Sequence, residues 1–213
     1  MPYAYPIMLD VRDRAVLVVG GGAVSVRKVR ALLDAGATLV TVVSPEFHAD
    51  LPEGARRLVS QYHERHLDGA DLVFAATDLR EVNDAVVRDC RARRIWVNRA
   101  DTDDQLPGDF ATPAQLRKGP VTVAVSAGSA ALTAAIRDGI SKDWDDRWTT
   151  MAIAMRELRP LITAAGHLTP EERSQLLRFL ASEAALKQVD AVGVEAFQGQ
   201  VRTMLQGGRG PRA

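Results

Sequence analysis

An α/β fold built on a mostly parallel, helix-covered sheet is predicted by three features of the sequence. The stretch AVLVVGGGAVSVRK, residues 15–28, runs five apolar residues into three glycines and then into a helical pattern. Further short apolar runs stand at Leu39–Val43, Leu72–Ala76 and Ile95–Val97. Helical periodicity separates the first two strands and returns over Glu81–Arg93. Strands alternating with helices call for crossover connections, and such connections cover both faces of a parallel sheet.

Each element has a local reason. Ile7–Val11 reads as a short edge strand ahead of the Arg12-Asp13-Arg14 turn. The strand Ala15–Val19 then ends at Gly20-Gly21-Gly22, with Gly20 and Gly22 in the first two glycine places of a G-x-G-x-x-G turn and Ser25 in the third. The first glycine permits the turn, and the second lets a pyrophosphate approach the backbone. Free N–H groups at the helix start then meet the anion. The alternative is a plain βα turn. The visible strand before it and helix after it favour a dinucleotide site in a Rossmann-like sheet.

The helix that follows places Val26, Val29 and Leu33 on one face and stops at Gly36. Leu39–Val43 forms the second strand and ends at Ser44-Pro45. An acid there would bind the adenine ribose. The residue is Ser44, with Glu46 two places on, so Ser44 is either a ribose contact or the cap of a helix that has Pro45 first. Leu58–Tyr62 is a third strand, followed by His63 and His66 around Glu64 and Arg65. Two histidines invite a metal reading, but no cysteine lies near and the segment reads as a solvated loop, so no metal site is expected. Leu72–Ala76 is the fourth strand. Ligands gather beyond the strand C-termini, which makes Ala76 and Thr77 cofactor neighbours. Ile95–Val97 is the fifth, closing at Asn98-Arg99-Ala100-Asp101.

The pattern then changes. Residues 101–109 are polar and loop-like. Phe110–Pro113 and Val121–Ser126 bracket the basic turn Arg117-Lys118-Gly119-Pro120 and are expected to pair antiparallel. Ser126–Ser129 opens a helix over Ala130–Lys142. From Trp144 the chain reads as helical: Met151–Ala165, a helix to about Lys187 opened by the Thr169-Pro170-Glu171-Glu172 capping box, and Asp190–Leu205. The expected division is a dinucleotide-binding domain over 1–112, a small α+β segment over 113–145, a helical domain over 146–206 and a disordered tail over 207–213.

Composition removes several classes. Lys+Arg and Asp+Glu both number 27, so neither nucleic acid nor a membrane surface is an expected partner. The single Cys90 excludes a disulfide framework and suits a reducing cytoplasm; in its helical pattern it reads as a small buried hydrophobe rather than a nucleophile. No signal peptide or membrane span is seen.

For chemistry, Asp101 stands just past the fifth strand, on the edge where a nicotinamide is expected. With Asp103, Asp104 and Asp109 it reads either as a solvated acidic loop or as a general base beside a hydride-transfer site. Near such a base should lie Asn98 and the Ser126-Ala127-Gly128 turn, which as a helix start suits an anionic substrate group and is otherwise an ordinary cap.

Several of these segments together resemble the precorrin-2 dehydrogenases, the dehydrogenase module of siroheme synthases. YPIMLDVRDRAVLVVGGGAVSVRKVRALLDAGA is similar to that family's opening, AATD at Ala75–Asp78 to its A-A-T-D-D, and NRAD at Asn98–Asp101 to its N-V-x-D. GDFATPAQLRKGPVTVAVSAG is similar to its D-F-x-x-P-A-x-x-x-R-G-P-L-x-V-A-V-S-T-G-G. The resemblance covers roughly residues 5–145, in order. It implies NAD-dependent oxidation of precorrin-2, a tetrapyrrole rich in carboxylates, to sirohydrochlorin by a cytoplasmic homodimer, with 113–145 as dimerisation segment. It puts the essential acid on Asp101, cofactor contacts on Gly20, Gly21, Gly22, Ala23, Val24, Ser44, Pro45, Ala76 and Thr77, and substrate contacts on Asn98 and Ser126. Ferrochelatase activity on sirohydrochlorin, alone or in addition, and a non-enzymatic dinucleotide sensor are the alternatives; His167 stands alone as a metal-ligand candidate. The chain departs from the family in Ala127, in the short Ser129-Ala130-Ala131 run beyond Gly128, and in Arg99, which replaces a usually apolar residue and either binds a substrate carboxylate or faces solvent. Arg117, Lys118 and Arg137 are the other candidates for clamping substrate carboxylates. With no methyltransferase segment in the sequence, the chain resembles a stand-alone module.

Overall fold

Five strands, β1 (Ala15–Val19), β2 (Leu39–Ser44), β3 (Arg56–Val59), β4 (Leu72–Ala75) and β5 (Trp96–Arg99), lie parallel in the order β3-β2-β1-β4-β5 in a computed structural model that describes residues 5–101 and 105–206. The fold is a Rossmann-like α/β sheet. The chain divides into two compact units at Thr112/Pro113.

In the first unit the strand alternation sends Val16 and Val18 to one face and Leu17 and Val19 to the other. Helix α1 (Ala23–Asp34) covers the first face with Val26, Val29 and Leu32; α2 (Arg80–Ala92) covers the second with Val86, Val87 and Cys90. Both faces of β1 are dry, which is why it reads as an unbroken apolar run. After β2 and β3 step outward on one side of β1, β4 returns to its other side. The C-terminal crevice of the sheet therefore opens between β1 and β4, where the strand order reverses.

Several expected elements shift. Ile7–Val11 joins no ladder, because both edges of β1 are taken by β2 and β4. The third strand lies at Arg56–Val59 instead of Leu58–Tyr62: pairing of Thr41–Ser44 with Arg56–Val59 sets its register, and Tyr62 leaves the sheet to donate to Asp89 of α2 at 2.9 Å. No helix follows Ser44-Pro45, since the His48 N–H donates to the Gly21 carbonyl at 2.8 Å and draws the segment back over the glycine turn. His63 and His66 cap the short 3₁₀ turn Glu64–Leu67, His63 Nδ1 accepting from Arg65 N–H and His66 Nδ1 from His63 N–H.

In the second unit β6 (Ala114–Lys118) and β7 (Val121–Val125) form the antiparallel hairpin, starting one residue past the expected Phe110–Pro113. Gly119, at φ +56, makes its turn. Helix α3 (Ala130–Lys142) follows, with Ser129 as cap. No residue from 113 to 142 is buried. The helical remainder is α4 (Asp146–Ala164), α5 (Pro170–Leu180), α6 (Glu183–Val192) and α7 (Val194–Gln206), packed around Met151, Leu158, Leu176, Leu186 and Phe197. The expected helix to Lys187 is two: Ser182 starts α6 by accepting from Ala185 N–H at 3.3 Å. The expected Asp190–Leu205 helix is broken at Gly193, φ +81. The apolar period runs on through both breaks and hides them. The expected tail lies outside the described residues.

Candidate active site

The glycine turn is shaped by what surrounds it. Gly20 has φ +113, and a Cβ there would lie 2.4 Å from the Ala76 carbonyl oxygen. A Cβ on Gly21 would lie 2.0 Å from the Glu46 carbonyl oxygen and 2.8 Å from Ser44 Oγ. These two glycines let β1, β2 and β4 converge. Gly22 is different: it is exposed, at φ −80, and a Cβ on it would meet nothing within 4 Å. Its open side is the face of the turn presented outward.

Gly22 is also the N-cap of α1, with no side-chain cap and no acid in the first turn. The leading N–H groups at Ala23 and Val24 thus meet no capping side chain and no first-turn acid among the described residues, which fits a pyrophosphate. Ser25, in the third glycine place, is fully buried against the sheet, and its Oγ has no hydrogen-bond partner. Ser44 is buried and packs on Gly21, while Pro45 is exposed; the helix-cap alternative for Ser44 falls with the absent helix. Ala76 is buried and Thr77 half-buried, both beside Gly20. The cofactor candidates therefore converge on one crevice.

The strand register carries the site onward. Ala75 pairs with Arg99, and Ala100 N–H donates to the Ala75 carbonyl at 2.9 Å, so Asp101 lies beside Ala76-Thr77 on the same edge. It is two strand spacings from the glycine strand, about 10 Å.

Arg99 neither faces solvent nor awaits a substrate carboxylate, which corrects both expectations for it. Its side chain is 1% exposed. Its Nε donates to Asp101 Oδ1 at 2.7 Å and its Nη2 to Asp101 Oδ2 at 2.9 Å, while Nη1 donates to Asp84 Oδ1 at 2.6 Å and to the Leu106 carbonyl at 3.0 Å. The fork holds Asp101 below the usual carboxylate range; partial burial opposes this, and the Asn83 amide adds to it. Asp101 still has 32% of its side chain exposed. Each carboxylate oxygen has a second lone-pair direction beyond the one the fork takes.

Asn83 and Asp84 were not singled out from the sequence. Asn83 is fully buried on α2: its Oδ1 accepts from Thr77 N–H at 3.2 Å and Thr77 Oγ1 at 2.8 Å, and its Nδ2 donates to the Thr77 carbonyl at 3.0 Å. It ties the β4–α2 turn to Asp101. The available signal was a polar residue on the helical stripe of Val86, Val87 and Cys90. Asn98 is 3% exposed; its Nδ2 donates to the Phe110 carbonyl at 2.8 Å and its buried Oδ1 has no partner. Asp109 anchors Val97 N–H at 3.1 Å instead of joining an open acidic loop. Asp103 and Asp104 lie outside the described residues. Ser126 and Gly128, in the second unit, are exposed. Arg137 there donates to its neighbour Asp138 at 2.6 Å. No metal-holding group of three His, Cys, Asp or Glu occurs among the described residues.

Residues 7–114 match a protein-family model described as "Putative NAD(P)-binding". A siroheme synthase of Methylobacillus flagellatus is 48% identical over 131 residues, 59% of this chain and 27% of that protein. Siroheme synthase 3 of Aeromonas hydrophila is 34% identical over 207 residues, 94% of this chain and 43% of that protein. The solved structure of SirC, precorrin-2 dehydrogenase, superposes with a TM-score of 0.77 at 26% identity, covering 94% of this chain and all of that one. The chain belongs to the precorrin-2 dehydrogenase family. It spans less than half the length of these two siroheme synthases, whereas it matches the full length of the SirC chain. Both glycine turn and Asp101 lie within the 7–114 match to the NAD(P)-binding model.

Proposed function

We propose that the chain oxidises precorrin-2 to sirohydrochlorin with NAD, using Asp101 as general base. The observation that carries this is the register of β4 and β5, which sets an ionised carboxylate beside the dinucleotide crevice. When bound, the nicotinamide supplies a hydride acceptor. The uncapped start of α1 binds the pyrophosphate, Gly22 admits it to the backbone, and Ala76-Thr77 line the adjoining edge. Asp101 takes the proton from the carbon skeleton through its exposed lone pairs. Two electrons leave the substrate as hydride, and the carboxylate holds the proton until water removes it. Low basicity costs driving force, but the group is charged and ready at neutral pH.

Ser126 and Gly128 are read as substrate-side contacts, with Arg117, Lys118 and Arg137 as candidate partners for substrate carboxylates. A homodimer through residues 113–145 is the assembly. A two-stranded hairpin and helix with no buried residue lack a core of their own, and Leu132 and Ile136, 52% and 39% exposed, suit a second copy. The compartment is the cytoplasm, in keeping with a buried free Cys90. No helix among the described residues is long and apolar enough to cross a membrane.

The test is nicotinamide reduction with enzymatically generated precorrin-2, NAD and NADP in parallel, on the wild type and Asp101→Asn. The variant is expected to bind NAD normally and to lose at least a hundredfold in turnover, the range of general-base catalysis. Normal turnover by the variant would remove the base.

A further inference from the structure

We propose that Arg99 is a positioning residue that fixes the Asp101 carboxylate in one plane and serves as its counter-ion, with Asp84 holding the guanidinium from its other side. The proposal rests on the reading of Asp101 as the base. Its ground is geometric: a guanidinium 1% exposed spends one fork on Asp101 at 2.7 and 2.9 Å and another nitrogen on Asp84 at 2.6 Å.

A fork–fork pair sets the carboxylate plane as well as its charge, which a lysine cannot do. Stability alone does not account for an arginine here. Desolvating it is costly, and an apolar side chain of similar volume serves a buried position as well or better. Among the described residues its acidic partners are Asp101, at the strand end, and Asp84 of α2, so that the charges of the three groups sum to one net negative. Among the described residues the groups that bear on Asp101 are Arg99 from β5 and Asn83 from α2, while Asp84 reaches it through Arg99. The Asn83 link continues to Thr77, so the same scaffold that aims the base also holds the cofactor edge.

The experiment compares wild type, Arg99→Met, Arg99→Lys and Asp101→Asn. It reads kcat and kcat/KM against pH, with a ¹³C titration of the Asp101 carboxyl in the protein without substrate. In the wild type the acid limb is expected below the ordinary carboxylate range. In Arg99→Met it moves to higher pH, because two carboxylates lose their shared cation, and kcat at neutral pH falls by roughly tenfold or more from lost orientation. KM for NAD stays unchanged. Arg99→Lys returns the limb toward the wild-type position without restoring kcat. A limb and kcat unmoved in Arg99→Met overturn the proposal. If Arg99→Met fails to fold, Asp84→Asn replaces it: the counter-ion remains, its far-side holder is weakened, and kcat is expected to fall with no upward move of the limb; unchanged kcat overturns the clamp. Normal turnover in Asp101→Asn would defeat the base reading instead, and the carboxyl titration would still decide whether Arg99 is the counter-ion.

Discussion

Gly22→Ala separates binding from folding at the glycine turn. Gly22 sits at φ −80, ordinary extended backbone, and a Cβ there meets no protein atom within 4 Å. Alanine is a poorer N-cap than glycine but reduces the freedom of the unfolded chain, and these opposed effects leave about 1 kcal/mol or less in net stability. Melting of the free protein should move by no more than a few degrees. On the proposed binding mode, the methyl group nevertheless occupies the side from which the pyrophosphate approaches. Displacing that anion costs one charge-assisted hydrogen bond, worth about 1.5–3 kcal/mol, so Kd for NAD should rise roughly 10- to 100-fold. Gly21→Ala gives the opposite result. Its Cβ would lie 2.0 Å from the Glu46 carbonyl oxygen, and backbone must yield. We expect a loss of about 3 kcal/mol or more and a melting point lower by about 10 °C. Calorimetric titration with NAD and thermal melts without it measure both. A Gly22→Ala protein that binds NAD as the wild type does would show that the pyrophosphate does not lie on this turn.

Two further outcomes follow from burial and exposure. Burial, with Asp89 nearby, pushes the Cys90 thiol up to about 12 from its ordinary 9.0, and burial with the Asp89 hydrogen bond raises Tyr62 as well. Both folded-state values are raised, so the neutral forms are favoured; the stabilisation is complete below about pH 9 and is lost as pH climbs through the folded values. Urea titrations should show stability falling above pH 9, and Cys90 should resist thiol reagents until the protein unfolds; rapid native labelling at neutral pH would contradict the burial. Leu132→Asp with Ile136→Asp should convert the proposed dimer to monomer in sedimentation, leaving NAD binding intact; an unchanged sedimentation profile would count against this interface.

The parallel sheet was legible because each buried strand is an unbroken apolar run and each crossover has its helix. The strands read least well were those whose neighbours decide them. Ile7–Val11 has the composition of a strand, but β1, the strand it leads into, is already paired on both edges, and β3 begins two residues early because Ser44 and its neighbours set its register. The helical breaks at Ser182 and Gly193 were written in a cap and a glycine, but the apolar period that continues across them spoke louder.

The site divides in the same way. The base reading of Asp101 over a solvated loop came only with the family resemblance, while the places of Gly20, Ala76, Thr77 and Asp101 beyond strand ends could be read along the chain. Arg99 could not. One residue before Ala100 in an exposed-looking NRAD run, it has the composition of a surface cation; only the pairing of β5 with β4 and the packing of α2 turn its side chain inward between Asp84 and Asp101. The meaning of Asp101 changes with it. In sequence it is one of four acids in a polar loop, and a solvated carboxylate of that kind has no fixed orientation. In the fold it is a carboxylate held by two nitrogens, next to a crevice with an uncapped helix start. Orientation, not basicity, is what the arginine adds, since the ion pair that aims the carboxylate also lowers its appetite for a proton. On the proposed reading, a base built this way works best where the cofactor, by drawing off the hydride, makes the proton easy to remove.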